Sequence, residues 1–174
     1  MIKEKYYYNK IMNLKRIFTM QKELDEAIKN RNDLKQITNK EWETMWTLAL
    51  LVETAEFANE VQSFKYWKAH KNINKEKILE EFADILHFLG SYAYKLNVNP
   101  EIEPLIVSED INVQICSLFS TISAGINNLN KYNIGQMLAM SLGAAKMLGY
   151  TEKEITEWYE IKNKKNYERI QNKY

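Results

Sequence analysis

The chain has 174 residues, enough for one domain with a substantial core, and no shift in composition argues for a second domain. Its 24 Lys and Arg nearly cancel 23 Asp and Glu, so there is no basic field to gather a polynucleotide and no acidic tail. The single cysteine, Cys116, excludes a disulfide framework and a cysteine metal cluster; lying in an apolar stretch, it reads as a buried core thiol. Met1 to Lys15 is rich in Lys, Tyr and Asn rather than apolar, and no apolar run approaches a membrane span. A cytoplasmic protein without a membrane partner is expected.

Five Gly and two Pro, with long stretches of 3.6-residue period, predict an all-α single domain, a bundle of about six helices. The first helix is expected from about Lys10 to Arg31, with Ile11, Leu14, Phe18, Leu24 and Ile28 turned inward. The second starts near Asn39 or Lys40 as cap and continues to about Trp67, followed by the polar connection AHKNINKEK. The third spans roughly Lys75 to Leu96 and stops before Pro100 and Pro104, which deny helical hydrogen bonds. Two more run from about Ile111 to Leu129 and from Ile134 to Leu148, the latter closed by Gly149. Thr151, with Glu154 in capping-box spacing, opens a last helix toward Ile170.

Helices two and three each carry two acids at i and i+3: Glu53 and Glu56 in LVETAEFANE, Glu81 and Asp84 in LEEFADILHF. That spacing puts both carboxylates on one helical face. The helices are apolar around them, and ionised carboxylates are costly to desolvate unless paired, hydrated or on a metal. Two such pairs facing each other across one turn would make an oxygen-ligand site for Mg²⁺, or Mn²⁺, and through it for phosphate. Solvated helix faces would show the same spacing. Glu60 shares the Glu56 face as a fifth acid, or pairs with Lys65. Glu80 competes with Glu81, but Glu81 continues the face through Asp84 and Phe88. A di-iron bundle needs two acid-x-x-His motifs, and the sequence has only Asp84 to His87.

Two further stretches stand out. The segment from Tyr159 to Tyr174 interleaves Lys162, Lys164, Lys165, Arg169 and Lys173 with Asn and Tyr; it reads either as a frayed basic terminus or as a phosphate clamp. Gln21 and Asp25, at i and i+4, are either solvated or lining a pocket in which the Gln21 amide reads a base edge.

These residues resemble the dimeric, all-α dUTPases, within the MazG-like all-α nucleoside triphosphate pyrophosphohydrolases. The acidic pairs match the E-x-x-E and E-x-x-D motifs. Asn59-Glu60, Phe64-Lys65-Tyr66-Trp67, Asp84-Ile-Leu-His87-Phe88 and Tyr159-x-x-Lys162-Asn163-x-x-Asn166-x-x-Arg169 are similar to the dUTPase branch. The resemblance implies hydrolysis of dUTP to dUMP and pyrophosphate, and of dUDP, by a homodimer with two or more Mg²⁺ per site. It implies Glu53, Glu56, Glu81 and Asp84 as metal ligands, with Glu53 orienting the attacking water. Gln21 and Trp67 would contact uracil, Phe88 would pack on its ring, and His87 would lie by the sugar. Lys65 joins these substrate contacts; Lys162, Asn163, Asn166 and Arg169 would hold phosphates and sugar, and Tyr174 would approach the deoxyribose. Asp25 stands where the family often has Asn. The competing readings are a relative acting on dCTP or on many nucleotides, and a nucleotide-binding regulatory protein acting through a protein partner.

Overall fold

The computed structural model describes residues 10–172 apart from 36, 126 and 127, so Tyr174 lies outside the described residues. Six helices dominate: α1 (Lys15–Lys29), α2 (Asn39–Val61), α3 (Lys75–Lys95), α4 (Ile111–Gly125), α5 (Lys131–Met147) and α6 (Glu152–Gln171), with two-residue strands β1 (Met12–Asn13) and β2 (Glu101–Ile102). The expected all-α single domain is what the chain forms. No helix among the described residues is long and apolar enough to cross a membrane.

Local chemistry sets most helix ends. Thr38 and Thr151 each open a helix with a full capping box, the hydroxyl accepting from the N–H of Glu41 or Glu154 while that carboxylate accepts from the cap N–H. Thr38, not Asn39 or Lys40, therefore starts α2. Asn74 and Asn130 cap α3 and α5 by accepting two backbone N–H bonds each. The Asn130 cap starts α5 at Lys131, three residues before the expected Ile134. It follows the turn at Gly125, where α4 ends, short of Leu129.

Two larger differences from the sequence reading have clear causes. The second helix ends at Val61, not near Trp67, because Gln62 turns left-handed (φ 57°) and its amide is tied to the Asn72 carbonyl at 3.1 Å. Residues 62–68 then follow successive turns. The first helix begins at Lys15 rather than Lys10, because residues 12–13 pair antiparallel with 101–102 and Leu14 N–H donates to Pro100 O at 2.8 Å. Ile11 is exposed as a result, while Leu14, Phe18 and Leu24 are buried and Ile28 is half-buried.

The central helix is α3, packed by α1, α2, α5 and α6 and buried nearly all round, from Ile78 to Ala93. A helix apolar on every side belongs in a core. The segment before α4 is clamped onto α5: Leu105 N–H donates to Ala139 O, and Gln114 Nε2 donates to the Leu105 and Met140 carbonyls. Only glycine fits at 143, where a Cβ would lie 2.0 Å from the Leu105 oxygen. On α4, Ile115, Leu118 and Ile122 face the core. Cys116, about 100° round the helix from Ile115, is exposed, so the expectation of a buried core thiol is wrong.

Candidate active site

The pairing of α2 with α3 builds the site. Trp46 packs against Tyr92 with the rings tilted by 52° and centroids 4.5 Å apart, and donates its indole N–H to Phe88 O at 2.9 Å. Eleven residues along α2, Phe57 meets Phe82 at 5.7 Å. Contacts that advance along one helix and retreat along the other make the pair antiparallel. Between the two aromatic contacts lie Glu53 on α2 and Asp84 on α3, with Glu81 one residue beyond Phe82 on α3. Carboxylate oxygens of these three lie within 4.8 Å of one another. Glu56 is exposed and stands outside this triad, although its charge still repels Glu53 and Glu81.

The choice between Glu80 and Glu81 is visible in the side chains. Glu80 turns to α6, where it accepts from Lys165 at 2.8 Å and Lys162 at 3.3 Å, and it is held below the usual carboxylate range by these lysines, Lys165 foremost. Glu81 faces Glu53. Lys162, itself buried, places its ammonium 2.6 Å from Asp84 Oδ2. Glu60 does not pair with Lys65, whose ammonium bonds to the Asn59 carbonyl and side chain.

One lysine does not neutralise the triad. Burial, then repulsion from Asp84 and the other acids, pushes both Glu53 and Glu81 up to about 7. Burial also raises Asp84, against the pull of Lys162. Burial pulls Lys162 down, but Asp84 and Glu80 more than restore it. A cluster of hard oxygen donors carrying uncompensated negative charge has the chemistry of a divalent-cation site.

A cavity of about 350 Å³ opens beside the triad. Glu53 and Asp84 line it together with Gln21, Asp25, Trp42, Trp46, His87, Phe88, Asn166 and Arg169. Gln21 is buried by the packing of α1 on α3. Its Oε1 accepts from the Tyr159 hydroxyl at 2.6 Å and lies 2.7 Å from His87 Nδ1; its Nε2 donates to Asp25 Oδ1 at 2.6 Å. His87 stacks on Tyr159 and is held neutral: burial, helped by Lys162, brings it down to about 3. Two buried polar atoms here, His87 Nε2 and Asn163 Nδ2, have no hydrogen-bond partner among the described residues. Orphaned buried polar groups are rare, and a site for a ligand is one reason for them.

Of the residues singled out from the sequence, the structure gathers Gln21, Asp25, Glu53, Glu81, Asp84, His87, Phe88, Lys162, Asn163, Asn166 and Arg169 around one cavity and its acidic end. Lys65 and Trp67 lie elsewhere: they follow the end of α2 and do not line the cavity, and Trp67 is 61% exposed against Phe64 and Tyr66. The basic C-terminal stretch is regular helix to Gln171. Trp42, Trp46, Ser91 and Tyr159 belong to the site without having been picked out for it. For Tyr159 the signal was present, since Tyr159, Lys162, Asn163, Asn166 and Arg169 recur at intervals of three and four and share one face.

The all-α bundle sets an acidic cluster at the end of a cavity and faces it with the basic C-terminal half of α6. The chain belongs to the all-α dUTPase family: residues 13–174 match the family model described as dUTPase, and dUTP hydrolysis is the activity of that family. No curated protein matches the chain.

Proposed function

We propose that the chain hydrolyses dUTP to dUMP and pyrophosphate with Mg²⁺ held by Glu53, Glu81 and Asp84, Glu56 joining them when the site is loaded. The observation that carries this reading is the shared lining: Glu53 and Asp84 belong both to the acidic triad and to the cavity that holds Gln21, His87 and Phe88. A base in that cavity would bring its phosphates to the acids. The divalent ions would supply charge neutralisation for the triphosphate and acidify the attacking water. Glu53, already raised toward neutrality, suits the general base: it accepts a proton from the water whose oxygen attacks the β-phosphorus. The bond from that phosphorus to the α-bridging oxygen breaks, releasing dUMP and pyrophosphate. By the same attack dUDP yields dUMP and phosphate.

On the opposite side, Lys162, Asn163, Asn166 and Arg169 of α6 hold phosphate and sugar, with Lys162 poised between Asp84 and Glu80. Phe88, whose backbone is anchored by Trp46, packs on the ring. The enzyme works as a homodimer. Met45, Leu48 and Val52 form an exposed apolar stripe on α2, opposite its own buried face, and Lys65 and Trp67 stand outside their own cavity, as residues completing a partner's site would. Trp46 and Met137, by contrast, are spent on the protomer's own core.

Release of the corresponding nucleoside monophosphate from a panel of dUTP, dUDP, dCTP and dTTP, with Mg²⁺ and with chelator, tests the reading. Preference for dUTP that vanishes in chelator is expected, with dTTP poorly used. Equal turnover of the triphosphates, or full activity in chelator, contradicts it.

A further inference from the structure

Among the described residues three carboxylates line the cavity: Glu53 and Asp84 in the triad, and Asp25 at the α1 end. A divalent ion would offset the first two. Asp25 stands outside the triad with its side chain only 16% exposed, so its charge needs a partner within the protein.

Lys95 supplies that partner. Its ammonium lies 3.0 Å from Asp25 Oδ2 and donates to Ser91 Oγ at 2.9 Å; among the described residues it is the only cation paired with Asp25. The Ser91 and Tyr94 hydroxyls donate to the same Oδ2 at 2.5 and 2.8 Å, while Oδ1 accepts from Gln21 Nε2. Three donors on one oxygen fix the rotation of the carboxylate, and with it the side on which Oδ1 meets Gln21.

The same ammonium lies 5.6 Å from the ring centroid of Trp42, 5.8 Å from that of Tyr92 and 5.5 Å from that of Tyr94, within reach of a cation–π attraction. Asp25 lines the cavity from α1 and Trp42 lines it from α2, whereas Lys95, the last residue of α3, is not part of the lining. One side chain therefore holds wall residues of two other helices from behind. An ion pair on an open surface would contribute little. Here the carboxylate is buried, and removing its cation would leave bare negative charge in a cavity that accepts a polyanion.

We infer that Lys95 is a positioning residue which, without touching the nucleotide, cancels the charge of Asp25 and keeps the Trp42 wall in place. The two contributions are separable. The first exists only while residue 25 is a carboxylate, since an asparagine there carries no charge and needs no counter-ion. The contact with Trp42 does not depend on residue 25.

This inference rests on the cavity being the nucleotide site, and a double-mutant cycle tests it. Lys95→Met keeps an unbranched stem and removes the charge. It is expected to raise KM for dUTP at saturating Mg²⁺ about tenfold and to change kcat less than about twofold, because the lost balance bears on binding and not on the reacting phosphorus. In an Asp25→Asn background the same replacement is expected to raise KM less than about threefold, and Lys95→Arg, which keeps the charge, is expected to stay within about threefold of the unmodified chain. Urea unfolding without nucleotide reads the pair directly: Lys95→Met is expected to lower the midpoint, and to lower it less beside Asp25→Asn. A Lys95→Met chain that folds only together with Asp25→Asn carries the same meaning. An equal rise in KM in both backgrounds, or none in either, overturns the inference. So does a Lys95→Met protein that loses stability with KM unchanged, or one that folds in neither background. If the unmodified chain hydrolysed no nucleotide while the midpoints still showed the coupling, the proposed function would fall and the pair would stand as the charge balance of the cavity.

Discussion

The two ends of the cavity are built on opposite principles. At the end made by α1, α3 and Tyr159, Gln21, Asp25, Ser91, Tyr94 and Tyr159 are tied into one hydrogen-bond network beside His87. At the other end Glu53, Glu81 and Asp84 crowd together with one buried lysine, and burial and repulsion raise all three. A satisfied network is rigid and specific. A cluster of like charges instead holds energy that a cation can release. Selecting a base demands the first, and neutralising a triphosphate demands the second.

The contrast predicts where each kind of change is felt. The largest effect is expected from Glu53→Gln, which should cost roughly 10² to 10⁴ in kcat, the range for loss of a general base. It should nevertheless raise the melting temperature of the metal-free protein above pH 7, because it removes one of the repelling charges. Loss of activity together with loss of metal-free stability would break the contrast.

Next is the pH dependence of stability. Glu53 and Glu81 titrate near 7 in the folded chain and near 4.5 when unfolded. Between those values the folded state holds protons that the unfolded state has released, so metal-free stability should fall as pH rises from about 4.5 to about 7. The stabilising Glu80 pair is lost only below that window, since its carboxylate is lowered rather than raised. Melting curves in chelator should show the decline, and saturating Mg²⁺ should remove it. A flat profile in chelator would mean that the acids do not repel.

Smaller effects sharpen the base end. Tyr159→Phe removes one of the two donors to the Gln21 oxygen and should cost about 1 kcal/mol in urea unfolding, with KM for dUTP rising more than kcat falls. Smallest of all, Lys165→Met breaks a pair whose lysine is about half exposed. It should change stability by less than about 1 kcal/mol.

Much of this organisation was legible in the sequence because it is written in local chemistry. Helical period gave six helices, the Thr151 and Glu154 pair gave the start of α6, and i,i+3 spacing placed Glu81 and Asp84 on one face. What stayed hidden depends on contacts distant in sequence. The left-handed turn at Gln62, tied to the Asn72 carbonyl, and the pairing of residues 12–13 with 101–102 are tertiary choices that no helical period announces. Cys116 was misplaced because an apolar stretch does not say which side of the helix meets the core. The separation of Glu56 from the triad and the gathering of Ser91, Tyr94 and Lys95 on Asp25 Oδ2 required the packed side chains.

Calorimetric titration of Mg²⁺ into the nucleotide-free protein at pH 7.5 tests most directly whether the acidic triad is a divalent-cation site. Saturable binding is expected for the unmodified chain, weakened at least about tenfold by Glu81→Gln, whose carboxylate lies in the triad, and little changed by Glu60→Gln, which lies outside it. Equal binding by all three proteins, or none by any, would contradict it.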